Sequence, residues 1–203
     1  MYRHIVYSMN HCRDKISGAK LFQSHLEKCG ASLSGVKKHI PNARFIILYR
    51  KSLLDQFLSY KIAQVTSHYS YKHDFKLPPF VHIVHSELYA FCEAMKGLYT
   101  RIFEHAWLKD CSVVISYEEL VVAPQKIFDD LIFPFLGLDS VPVTTTMKKQ
   151  NTKSLEEIIV NYAELEPLLS EPWLRLEYPP QTVSKINMLP AQINFFASTG
   201  KIS

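Results

Sequence analysis

Two stretches of the chain are short, apolar and unbroken. Arg44–Tyr49 lies within Ala43-Arg-Phe-Ile-Ile-Leu-Tyr-Arg50, and Ser112-Val-Val-Ile-Ser-Tyr117 follows much later. Both are rich in aromatic or β-branched residues, the composition of a strand buried on both faces. Between them the apolar positions recur at helical spacing. Leu54, Phe57, Leu58, Ile62 and Val65 predict a helix over Leu53 to Val65. Leu88, Phe91, Cys92, Met95, Leu98, Tyr99, Ile102, Phe103 and Ala106 predict a longer one over Glu87 to Leu108, with Ser86 as its N-cap. Leu21 to Lys28 reads as a further helix.

Pro124 stands where proline opens a helix, and the pattern runs through Ile127, Phe128, Leu131 and Ile132 to Phe135, where Gly137 can close it. Ser154 is placed to cap a last helix, extending through Ile158, Ile159, Tyr162 and Leu165 to Leu168. His68 to Pro79 reads as a loop, and the proline-containing tail from Pro172 as irregular. Buried strands separated by long helices predict an α/β fold, a parallel sheet flanked by helices. The expected division is one α/β domain over residues 1–170 and a tail over 171–203.

The 203 residues are 47% hydrophobic and 21% charged, ample for a core. The net charge of +4 suits an anionic ligand or an ordinary surface, and is too small to argue for nucleic acid. Cys12, Cys29, Cys92 and Cys111 form no CxxC pair, which excludes zinc-ribbon and thioredoxin patterns and suits free thiols in a reducing compartment. The first residues do not read as a signal peptide, and no apolar run reaches the ~20 residues of a membrane span. The expectation is a soluble, cytoplasmic protein. The six glycines are scattered, so no GxGxxG or GxxxxGK phosphate loop is present.

Ligands of open α/β sheets bind outside the carboxyl ends of strands. Arg50 stands at such an end, and Ser59 lies one to two turns into the helix that follows. A guanidinium fork and a hydroxyl there suit a phosphate. A solvated or ion-paired arginine fits the same pattern. Lys148 and Lys149 form either a basic loop that closes over an anion or a solvated one. Tyr69, Tyr71, Phe75 and Phe80 suit an apolar pocket or the anchoring of a loop. His82 and His85, with His68 and His73 nearby, lack a carboxylate or cysteine at a metal-ligand spacing, so no metal is expected.

The block from Phe45 to Val65 resembles the 3′-phosphate-binding segment of the sulfotransferase family, in its bacterial nodulation-type and Stf0-like branch. Three more stretches resemble that family in the same order. They are Ile16-Ser-Gly-Ala-Lys-Leu, Val113-Val-Ile-Ser-Tyr-Glu-Glu-Leu120 with Phe135-Leu-Gly-Leu138, and Lys149-Gln-Asn151 with Ile158-Ile-Val-Asn-Tyr162. Together they span Ile16 to Leu169.

The resemblance implies a P-loop NTPase-like sulfotransferase fold. It also implies transfer of a sulfuryl group from 3′-phosphoadenosine 5′-phosphosulfate (PAPS) to a hydroxyl or amine, without metal. Arg50 and Ser59 would bind the 3′-phosphate, with Lys148 and Lys149 as further candidates for the donor. Tyr117, Glu118, Leu120 and Gly137 carry over as fold-forming. The partner implied is a small-molecule or carbohydrate acceptor.

The family's 5′-phosphosulfate loop, on a first strand–loop–helix, has no counterpart in Tyr2–Lys15, so the expectation is a fold incomplete at its N-terminus. His25 is the nearest candidate for the base that activates the acceptor. The alternatives are a non-catalytic remnant that binds a nucleotide or a partner, and a kinase-like P-loop relative. Against the latter stands the missing GxxxxGK.

Overall fold

A computed structural model of the chain describes residues 18–66, 80–145 and 154–177, except for the side chains of residues 23–25. The chain divides into two compact units, residues 1–45 with 183–203, and residues 46–182.

In the first unit, α1 (Gln23–Lys28) and α2 (Leu33–His39) are short helices with one turn between them. Gly30, at φ 61°, ends α1: its amide bonds Glu27 while the Ala31 amide reaches back to Leu26. That doubled hydrogen bond is the usual end for a helix whose next residue takes the left-handed region. Ser32 then caps α2, its hydroxyl accepting from the Gly35 amide at 3.1 Å.

The second unit is built on β1 (Phe45–Tyr49), α3 (Leu53–Thr66), α4 (His85–Phe103) and β2 (Ser112–Ser116). The strands pair in parallel, so the fold is α/β with helices around a two-stranded sheet. Helices α3 and α4 form the connection that parallel strands require. They pack through Leu53, Leu54, Phe57, Leu58 and Ile62 on α3 and Leu88, Cys92 and Tyr99 on α4. The Phe57 and Phe91 rings meet at 5.2 Å, tilted by 59°. Burial pushes the Cys92 thiol up to about 11, so it is an inert core group.

After β2 come α5 (Tyr117–Val122), α6 (Pro124–Ile127), a π-helical turn over Phe128–Ile132 and α7 (Phe133–Leu136). The single helix expected from Pro124 to Phe135 is thus widened in its middle, where the Phe133 amide bonds Phe128. The cause lies one residue on. Pro134 has no amide to donate, and in an α-helix its ring would meet the carbonyl four residues back. Gly137, at φ 71°, closes α7 with the same double hydrogen bond seen at Gly30.

Four expectations are corrected by the packing. The β1 strand is not covered on both faces: Ile46 and Leu48 are 44% and 49% exposed, and only Tyr49 is buried. The long helix starts at His85, with Val84 rather than Ser86 at the N-cap position: the Glu87 and Leu88 amides both bond the Val84 carbonyl, and no side-chain hydrogen bond caps this start. It ends at Phe103, and Ala106–Asp110 is a 3-10 turn.

The helix expected from Ser154 does not form over Ile158 and Ile159. Val81 bonds to the Ile158 carbonyl and to the Val160 amide, making a parallel bridge with Ile159. Asn161 adds a side-chain clamp on both the amide and the carbonyl of Ile83. Backbone groups used across the chain cannot also serve a helix, so α8 is confined to Tyr162–Leu165. Finally, the start of the tail is anchored: Leu174 and Leu176 are buried in the core, and the Leu176 amide bonds the Lys51 carbonyl at 2.9 Å.

Replacing Gly137 by alanine should cost about 1 kcal/mol, because a Cβ disfavours the left-handed region. Urea denaturation of Gly137→Ala checks this, and an unchanged midpoint would show that the cap is not needed.

Candidate functional site at the ends of the two strands

Parallel strands share an edge at their carboxyl ends. β1 stops at Tyr49 and β2 at Ser116, so the next residues, Arg50 and Tyr117, are neighbours there. The Arg50 guanidinium carbon lies 4.0 Å from the centre of the Tyr117 ring. Such a cation–ring contact is worth ~0.5–1 kcal/mol near the surface and fixes where the charge points. Arg50 is half-buried and makes no ion pair among the described residues.

The residue after Tyr117 closes the other side of the edge. Glu118 accepts the Lys51 amide on Oε2 at 3.0 Å and the Ser52 amide on Oε1 at 3.3 Å. These amides precede α3, and the Ser52 hydroxyl accepts the Asp55 amide at 3.1 Å. A helix start leaves amides without partners and carries positive dipole charge, so a hydroxyl and a carboxylate both belong there. The anion on this strand-to-helix turn is therefore the chain's own.

Glu119 completes the arrangement. Its Oε2 accepts the Ser116 hydroxyl at 2.6 Å while its amide donates to that same hydroxyl at 3.2 Å, a reciprocal cap on α5. Its Oε1 receives Lys51 Nζ at 2.9 Å. The Ser116 bond first, and Lys51 second, hold the Glu119 carboxyl below its ordinary pKa. Glu119 in turn raises that of Lys51.

Behind Arg50, the Tyr49 and Tyr99 rings meet edge to face at 6.2 Å, and the Tyr99 hydroxyl donates to the Leu48 carbonyl at 3.4 Å. Burial raises both phenols, and Arg50 draws Tyr99 part of the way back. Both therefore stay neutral at physiological pH.

Of the residues singled out by sequence, Arg50 stands at the sheet edge. Ser59 is half-buried on α3, about 9 Å along the axis from Leu53 at 1.5 Å per residue, and no hydrogen bond joins it to Arg50. His25 lies in α1, in the other unit, and its side chain is outside the described residues. Lys148, Lys149, Tyr69, Tyr71 and Phe75 also lie outside them. Phe80 is 72% exposed. The His85 ring packs edge-on against Trp173 at 5.8 Å, and His82 is exposed. Among the described residues no three histidines, cysteines or carboxylates converge as metal ligands, and no helix is long and apolar enough to cross a membrane.

Sequence reasoning did not pair Arg50 with Tyr117. The signal was there: two parallel strands must present their next residues side by side. Comparison of the chain with family models, with curated proteins and with solved structures finds no match to any of them. What the geometry offers chemically is one guanidinium, seated on a ring and without a carboxylate partner among the described residues, at the edge where α/β sheets take their ligands.

Glu118→Ala should lower stability by about 1–3 kcal/mol, since two amides lose a charged acceptor. Glu118→Gln, which keeps one oxygen, should lose less. Equal urea midpoints for wild type and Glu118→Ala would refute this role.

A second expectation concerns pH. A carboxyl whose folded pKa is depressed contributes fully above its unfolded pKa and loses that contribution as pH falls through the folded value. The stability advantage of wild type over Glu119→Gln should thus be largest near neutrality and shrink below pH ~4. Urea midpoints between neutral and acid pH measure it, and a constant difference would contradict it.

Proposed function

We propose that the chain is a PAPS-dependent sulfotransferase on a P-loop-like fold, in which Arg50 grips the 3′-phosphate of the donor. The observation that carries this reading is the Arg50 guanidinium, placed on Tyr117 at the carboxyl edge of the parallel sheet with no ion pair of its own among the described residues. Ser59, farther along α3, is the second candidate contact. Arg50 would supply binding and orientation rather than bond-making.

In the transfer itself an acceptor oxygen or nitrogen attacks sulfur in line, and the bond from sulfur to the bridging phosphate oxygen breaks. Adenosine 3′,5′-bisphosphate leaves with that electron pair, and the acceptor gives up its proton. Positioning and positive charge near the bridging oxygen carry such a step, as in phosphoryl transfer.

One observation favours a second reading, a non-catalytic nucleotide- or partner-binding domain. Glu118 already occupies the amides of the turn after β1, so a phosphate would meet side chains there and not a backbone cradle.

Turnover of labelled PAPS separates the sulfotransferase from the non-catalytic reading, and isothermal titration with adenosine 3′,5′-bisphosphate tests the donor site itself. On the sulfotransferase reading wild type binds, Arg50→Ala binds about 10–100-fold more weakly, and Arg50→Lys falls between. Equal affinity of wild type and Arg50→Ala would remove Arg50 from the site. No binding by wild type would leave the partner-binding reading.

A further inference from the structure

The turn after β1 has a second side, away from Tyr117. There Ser52 pairs antiparallel with Arg175, and the Leu176 amide bonds the Lys51 carbonyl. These bonds clamp the segment after Pro172 across the head of α3 and leave a cavity of about 410 Å³ beneath it. Its size is that of a small-molecule site. The apolar part of its lining is Leu54, Leu155, Leu169, Leu174 and Leu176, side chains from α3 and from three later stretches of chain.

The charged part of the lining is Lys51, Arg175, Asp55, Glu118 and Glu177. Two of these already have partners. Lys51 Nζ is on Glu119, and the Glu118 carboxylate is on two amides. Among the described residues no ion pair or side-chain hydrogen bond engages Asp55, Glu177 or Arg175. An aliphatic cavity is thus rimmed by two uncompensated carboxylates and one guanidinium. The first turn of α3 favours a carboxylate at Asp55 through its dipole, and Glu177 has no such support on its own segment.

We propose that this cavity binds an amphipathic amine: an aliphatic body lying on the leucines, with one ammonium head group between Asp55 and Glu177. The site is separate from the anion grip at Arg50 and stands whether or not Arg50 binds a nucleotide. An apolar body alone would gain only burial. The ammonium adds two carboxylate contacts at a half-open rim, where each is modest and weakened by salt.

The test uses n-octylammonium, n-octanol and octanoate against the full chain, with leucine methyl resonances as the readout. Octylammonium should shift the methyls of Leu155, Leu169 and Leu174 saturably and bind most tightly, octanol less so and octanoate least. The doubly substituted Asp55→Asn, Glu177→Gln protein should bind octylammonium about fivefold more weakly, near the affinity of octanol, with octanol unchanged. Arg175→Gln should strengthen octylammonium, and Arg50→Ala should leave it unaltered. All these substitutions except Arg50→Ala are at exposed positions. Octanoate binding as tightly as octylammonium would overturn the proposal. So would an unchanged affinity in the double variant, methyl shifts that do not saturate, or loss of binding in Arg50→Ala.

Discussion

The carboxylate of Glu118, seated on the amides of Lys51 and Ser52, joins parts of the second unit that are far apart in sequence. It ties the end of β2 to the start of α3, and so fixes the register in which the two strands finish. The same two residues then hold the later chain: Lys51 through its carbonyl to Leu176, and Ser52 through its bridge to Arg175. Amides, carbonyl and hydroxyl of one short turn thus meet a strand, a helix and a returning segment. An orphan amide at a helix start needs an acceptor, and a half-buried carboxylate needs donors. Each requirement is met by the other.

This arrangement explains why two adjacent opposite charges do not pair. Arg50 and Glu118 leave the same sheet edge, yet the arginine lies on Tyr117 and the glutamate on the turn. The turn amides draw the carboxylate through two directed bonds and the helix dipole. The ring then offers the guanidinium a flat, weakly polar seat that keeps its edge donors available. An arginine held in this way keeps its hydrogen-bonding capacity for an anion from outside.

Much of this was legible in the sequence wherever local pattern and tertiary demand agreed. α3 falls at Leu53–Thr66 against an expected Leu53 to Val65, because its apolar stripe faces the core from Leu53 to Ala63. Gly137 closes its helix as expected, since the left-handed region is a local requirement. Reading failed where backbone groups were claimed from a distance. Ile158 and Ile159 carry a helical pattern, but Val81 bonds the residues on either side of Ile159, and Ser86 falls inside the first turn of a helix that starts from the Val84 carbonyl. The apolar run of β1 predicts burial on both faces, yet Ile46 and Leu48 are open. Composition records what a strand tolerates, not how many layers cover it. At the site, Arg50 was found by its place after a strand. The partners that orient it, Tyr117 and Glu118, follow from strand direction, which pattern alone leaves unstated.

The position of Glu118 also limits how an anion can be held here. Phosphate loops that use backbone amides gain from donors already fixed in space and from a helix start with no competing charge. In this chain both advantages are spent on an internal carboxylate, so an external phosphate at the edge must depend on side chains, with Arg50 foremost. A grip of that kind concentrates affinity in one residue and makes it sensitive to salt. The β1-to-α3 turn meanwhile has an anion of its own with no ligand bound. On the proposed reading, ligand binding at Arg50 would thus be separate from folding of the turn, and Arg50→Ala would leave the sheet edge that carries it intact.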